Sequence, residues 1–238
     1  KKLKIPTRMA YLISIGSTVC GTTAIMATAP VIKASKNEVS YAIANITLFG
    51  ILSMLLYPYF ANIYFEGNSL FAGLFLGTSI HETSQVAAAG LIYDQQFNSP
   101  ETLNIATVTK LIRNTFLIIM IPLFALLYNR GQTKNKNYSI VNIFPYFVLG
   151  FVGMIIFRNL GDEIFNGTNN SNWNEMIDFI KMLSKIFLTM AMAAIGLSTN
   201  LKDIRNMGYK PFVVGFIAML TVGIVSIFTI EIYLKLFI

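Results

Sequence analysis

Seven apolar runs, at about 9–32, 38–64, 69–93, 102–128, 142–165, 175–200 and 211–238, occupy this chain almost end to end. Each is long enough to cross about 30 Å of hydrocarbon as a helix rising ~1.5 Å per residue. Hydrocarbon offers the backbone no hydrogen-bond partner, so spanning segments of this length are expected to be α-helical. A transmembrane β-barrel would instead show alternating segments of about ten residues. With 55% hydrophobic and 12% charged residues, 238 residues cannot bury their apolar side chains in one soluble core. The expectation is an all-α, polytopic transmembrane helix bundle, one transmembrane domain over 1–238 with about seven spans.

The net charge of +7 suggests nucleic acid in a soluble protein. Its placement here points to a bilayer and to no nucleic acid. Lys1, Lys2, Lys4 and Arg8 precede the first run; Arg130, Lys134 and Lys136 fill one loop, and Lys202, Arg205 and Lys210 another. Counting each run as one pass puts these groups on one side and only Lys33 and Lys36 on the other. The positive-inside rule makes the richer side cytoplasmic, as in a multi-pass protein of a bacterial cell membrane. Tyr57, Tyr64, Tyr93 and Tyr128 fall near run ends, where an aromatic belt is expected. The chain opens on Lys1 rather than Met and reads there like a connector, so further helices before it are expected.

Two runs carry matching interruptions: Gly16-Ser-Thr-Val-Cys-Gly-Thr-Thr-Ala-Ile-Met-Ala and Gly77-Thr-Ser-Ile-His-Glu-Thr-Ser-Gln-Val-Ala-Ala. Glycine lets a membrane helix unwind, and hydroxyl side chains re-satisfy the freed backbone groups. Corresponding breaks of this kind point to a transporter site built from discontinuous helices. The half-helix that follows presents unpaired N–H groups and the positive end of its dipole, a seat for an anion. Ser17, Thr18, Cys20, Gly21, Thr22 and Thr23 in the first break, and Thr78, Ser79, Thr83, Ser84 and Gln85 in the second, are the candidate binding residues. For one such break alone, close helix packing through small residues is an equally good account. Two matching breaks favour the site.

His81 and Glu82 lie within the second break. An imidazole and a carboxylate inside an apolar span are costly unless they face a cavity or a partner. Either can carry a coupling proton; the alternative is a fixed pair bracing the break. Lys110 and Arg113 stand about one turn apart on one helix face, too deep to snorkel, and complete the candidate anion site. Arg158 can meet Asp162 at i+4, and Lys181 can meet Asp178 at i−3, with Lys185 one turn further on.

Enzyme readings fall short, and no cofactor or metal is expected. His81-Glu82-Thr-Ser-Gln85 begins like a zinc-protease motif but has glutamine in place of the second histidine. Asp94 and Asp162 would have to converge for an intramembrane aspartyl protease. A serine nucleophile with His81 as base lacks its Gly-x-Ser-x-Gly elbow. With one cysteine, no disulfide forms within the chain.

The runs Val19-Cys20-Gly21-Thr-Thr-Ala-Ile, Ala29-Pro30-Val-Ile-Lys33 and Ile80-His81-Glu82-Thr-Ser-Gln85-Val86 resemble the YeiH-like family of bacterial membrane proteins, named as sulfate exporters. Ala106-Thr-Val-Thr-Lys110-Leu-Ile-Arg113-Asn114 and Ala191-Met-Ala-Ala-Ile-Gly196-Leu-Ser-Thr agree with it. The resemblance implies an architecture related to sodium/proton antiporters and bile acid symporters, with inverted repeats and crossing broken helices. It also implies additional helices before Lys1 and a small anionic passenger of the sulfate, sulfite or sulfonate class. Simple pass counting makes the two breaks parallel, which does not fit an inverted pair: either the repeat is fortuitous or one segment re-enters. A secondary anion transporter is the leading expectation, a passive anion channel the alternative and an intramembrane hydrolase a distant third. Self-association into a homo-oligomer is left open.

Overall fold

The computed structural model describes residues 5–130, 147–166, 171–198 and 209–237, and these form helices with no strand among them. In chain order they are α1 (Thr7–Thr18), α2 (Thr22–Thr28), α3 (Lys36–Tyr64), α4 (Ser69–Ser79), α5 (Thr83–Phe97), α6 (Thr102–Thr115), α7 (Leu117–Arg130), α8 (Phe147–Asn166), α9 (Ser171–Ser198) and α10 (Lys210–Phe237). Among the described residues, Lys36–Tyr64 and Lys210–Leu236 are long and apolar enough to cross a membrane. The basic loops around Lys134 and Lys202 lie outside the described residues, as does the side chain of Lys185.

The chain divides into two compact units, Pro145–Asn200 and the remainder. The smaller unit is a helix pair, α8 and α9. Its Gly161 lies against the ring of Trp173, where a Cβ would overlap the indole. The indole nitrogen donates to Asp162 at 2.8 Å, and Arg158 meets the same carboxylate at 2.7 Å. Lys181 pairs with Asp178 at 3.0 Å. Both ion pairs follow the helical spacing read from the sequence.

The larger unit is organised by α6 and α7, which follow one another across Phe116. Near one end of this rod, Arg8 donates to the Tyr128 hydroxyl at 3.1 Å and Tyr11 packs edge-on against Phe124 and Tyr128. Further along, Arg113 donates to the carbonyls of Ser17 and Thr18. Helix α1 therefore runs antiparallel to the rod, inward from its Tyr128 end. After the break α2 folds back: a Cβ on Gly16 would lie 2.9 Å from Ile25 Cδ1, although nine residues span about 13 Å in a straight helix. Glu38, at the start of α3, is again within electrostatic reach of Arg8. The Ser35 hydroxyl and the Glu38 carboxylate cap that start reciprocally, which fixes where α3 begins.

The second break reverses the chain in the same way, from the other end. Thr102 donates to the Ser69 carbonyl, and a Cβ on Gly73 or Gly77 would press on Ile105 or on the Ala106 carbonyl, so α4 runs parallel to α6. Asn114 donates to Thr83, Gly90 abuts Leu103, and Asp94 accepts from the Leu103 amide, so α5 runs antiparallel to α6. Asn98, left-handed at φ 52°, closes α5 and turns the chain into α6. Segments 9–32 and 69–93, read from hydropathy as single passes, each contain a reversal. The physical reason is the run of non-helical backbone at Val19–Gly21 and Ile80–Glu82.

Helices α3 and α10 run side by side. Asn45 donates to the Pro211 carbonyl at 2.7 Å, Tyr57 to the Met219 carbonyl at 3.2 Å, and Tyr64 to Glu231. Tyr93 donates to Asn62 and is fully buried, and Tyr57 is 8% exposed. These two tyrosines therefore pack into the interior rather than lining a belt. Phe49, Phe75, Leu76, Ile80, Val86 and Met219 share that apolar core.

Candidate functional site

The two breaks meet. Helix α1 ends at Thr18 and α4 at Ser79; α2 begins at Thr22 and α5 at Thr83, so both interruptions keep the same offset of 61 residues. Gly21 takes φ 61° and ψ −119°, a conformation that L side chains rarely adopt. The first hairpin enters from the Tyr128 end of the α6–α7 rod and the second from its Thr102 end, which makes the pair inverted.

Lys110 and Arg113 hold the two tips together. The fully buried Lys110 ammonium donates to the carbonyls of Val19 at 2.8 Å, Ile80 at 2.9 Å and His81 at 2.6 Å. The Arg113 guanidinium reaches Ser17 O at 2.6 Å and Thr18 O at 2.9 Å on one tip, and Thr78 O at 2.6 Å and Ile80 O at 3.3 Å on the other. Apart from that of His81, which lies within the second break, these carbonyls belong to the C-terminal ends of α1 and α4 and their cap residues, the negative ends of their dipoles, so both cations complement them. Glu82 complements the opposite pole. Its Oε1 accepts from the Thr22 amide at 2.5 Å, at the positive end of α2.

The predicted hydroxyls play different parts. Ser17, Thr18, Thr78 and Ser79 donate back to carbonyls of their own helices, at Ile13, Ser14, Leu74 and Phe75. They saturate the last turns before the breaks. Thr83 accepts from Asn114, Gln85 donates to the Thr47 carbonyl at 3.2 Å, and Cys20 is buried as a free thiol. Thr23 is exposed and Ser84 half-buried. Thr22 Oγ1, Gln85 Oε1 and both nitrogens of the fully buried His81 have no hydrogen-bond partner.

Beside the tips lies a half-open groove of about 410 Å³, lined by Thr18, Thr78 and Arg113 on one side and by α10 from Thr221 to Ile230 on the other, with Thr18, Thr221, Val225 and Thr229 exposed. Ser226 lies 2.5 Å from the Thr78 hydroxyl. Sequence reading missed the α10 wall. Its signal was present as Thr221, Ser226 and Thr229, recurring within the most apolar run of the chain.

Asp94 caps α6 through Leu103, Asp162 is held by Arg158 and Trp173, and among the described residues no hydroxyl bonds to His81.

The family described as conserved hypothetical protein 698 matches residues 1–215. A UPF0324 membrane protein of Fusobacterium nucleatum is 39% identical over 234 residues, covering 95% of this chain and 67% of its own length. This chain belongs to the UPF0324 family of membrane proteins. UPF0324 membrane proteins of Streptococcus agalactiae and Clostridium tetani are 38% and 33% identical, over 95% of this chain and 65% of theirs. The chain thus spans about two thirds of the length of these UPF0324 relatives, and the YeiH-like resemblance read from the break motifs is borne out. No solved structure matches.

Proposed function

We propose that this UPF0324 protein is a secondary transporter of a small anion in the sulfate, sulfite or sulfonate class, and not an enzyme. The observation that carries this reading is the meeting of two inverted, interrupted hairpins at Lys110, Arg113 and Glu82, beside a groove. Inverted repeats with irregular backbone at mid-depth are how many carriers build a site that faces either side in turn. The tips carry two cations against one carboxylate, His81 left aside, and that excess favours a negative passenger. Glu82 or His81 is the coupling group, since protonating Glu82 would alter its bond to Thr22, and His81 has no other partner to break.

With both hairpins re-entering, Arg8, Lys33, Lys36 and Arg130 fall at one end of the bundle. That end is the cytoplasmic side of a multi-pass cell-membrane protein under the positive-inside rule. The test is reconstitution of the full-length protein into proteoliposomes, following labelled sulfate, sulfite and sulfonates with and without a pH gradient. Saturable counterflow supports the carrier. Steady unitary currents would replace it with a channel.

A further inference from the structure

We infer that the groove beside the hairpin tips selects a singly charged organic oxyanion with a short apolar body, rather than an inorganic dianion. This rests on the transporter reading and names the passenger of that same site.

The first observation is the groove's donor count. A guanidinium has five N–H donors, and four bonds from Arg113 already go to carbonyls of Ser17, Thr18, Thr78 and Ile80. One N–H on Nη2 remains. The hydroxyl protons around the groove are committed as well: Thr18 donates to Ser14, Thr78 to Leu74, Thr221 to Ile217 and Thr229 to Val225. Since the Thr78 proton goes to Leu74, the proton in the Thr78–Ser226 contact comes from Ser226. Among the described residues, the groove therefore presents hydroxyl oxygens as acceptors, and one N–H of Arg113 is left uncommitted. A dianion seated against this lining would give up water on its protein-facing side for few described donors, a desolvation cost that grows with its charge.

The second observation is charge. Lys110 and Arg113 against Glu82 leave a formal excess of one positive charge at the tips. One negative charge balances it.

The third observation is size and lining. At about 410 Å³ the groove falls in the range of sites for small organic ligands. Val222, Val225 and Ile230 contribute to its mostly apolar wall. A sulfate ion would leave most of that wall against water, whereas a short alkyl chain would cover it.

Alkanesulfonates are suitable probes because they stay charged and do not leak across bilayers as neutral acids. With the full-length protein in proteoliposomes, competition against labelled methanesulfonate counterflow should strengthen from methane- to butanesulfonate by about fourfold per methylene, with sulfate the weakest competitor. Val225→Trp, which places a bulky ring on the groove wall, should change butanesulfonate competition by at least ~10-fold more than methanesulfonate competition in protein that keeps its elution profile and melting temperature. If that variant does not fold, the chain-length series on the unaltered protein decides alone. Sulfate moving as well as butanesulfonate, with no dependence on chain length, would overturn this inference and leave the transporter reading standing. Failure of every anion to move would remove both.

Discussion

Glu82 and Thr22, sixty residues apart, are joined by a 2.5 Å hydrogen bond from the Thr22 amide to the Glu82 carboxylate. The bond runs from one hairpin tip to the other and places a negative charge on the open N-terminus of α2. Glu82→Ala is expected to destabilise the protein by about 2–3 kcal/mol, the scale for a buried hydrogen bond to a charged group. Glu82→Gln keeps an acceptor and should cost less; under the proposed transport function it should also abolish the response of flux to a pH gradient. Thermal melting in detergent reads the first effect and proteoliposome flux the second. Unchanged pH-gradient-driven flux in Glu82→Gln would remove Glu82 from coupling and leave His81 as the candidate.

The same contact makes Gly21 irreplaceable. Its backbone sits at φ 61°, and a Cβ there would come within 2.5 Å of Glu82 Oε1. Gly21→Ala therefore combines backbone strain of about 1–3 kcal/mol with displacement of the capping carboxylate. It should lower the melting temperature more than Glu82→Ala does. Gly150→Ala, where an added methyl meets nothing within 4 Å among the described residues, serves as the comparison and should be neutral to stabilising.

Lys110 and Arg158 are both helical cations, yet they should behave very differently when neutralised. Lys110 is fully buried and satisfies three carbonyls of non-helical or helix-terminal backbone, so Lys110→Met leaves those oxygens unpaired. A loss of about 3 kcal/mol or more is expected, since each orphaned buried acceptor costs about 1–3 kcal/mol. Arg158→Met breaks an ion pair whose side chains are 42% and 30% exposed, and should cost far less than Lys110→Met. Denaturation of the two variants side by side gives the ranking.

Much of this site was legible in the sequence because the chemistry of a broken membrane helix is local. Glycine, hydroxyls and one carboxylate must lie within a few residues of the break, and both breaks fall at the 61-residue offset that the motifs carry. The depth of Lys110 and Arg113 could be counted, but not the carbonyls they would meet, since those partners lie 29 to 96 residues away. Chain direction was hidden for a simpler reason. Helices α4 and α5 have 11 and 15 residues, so a hairpin of the two has the hydropathy and length of one straight pass. The inward turn of Tyr57 and Tyr93 was equally invisible, because an aromatic near a segment end reads the same whether it faces headgroups or a buried acceptor.

That ambiguity makes direction the sharpest thing to measure. If 9–32 were one pass, Thr7 and Lys36 would face opposite sides of the membrane; with α1 and α2 as a hairpin they face the same side. Glu66 and Glu101 bracket the second hairpin and should likewise share a side, opposite to that of Thr7 and Lys36. All four residues are exposed, and the native Cys20 is 5% exposed, so background labelling should be low. Single cysteines at these positions, treated in sealed vesicles with a membrane-impermeant maleimide, should label as two pairs: Thr7 with Lys36, and Glu66 with Glu101. Labelling of Thr7→Cys and Lys36→Cys from opposite faces would undo the first hairpin. With it would go the inverted meeting of the tips at Lys110, because a straight first segment would carry Val19 past that ammonium in the same direction as α4 carries Ile80.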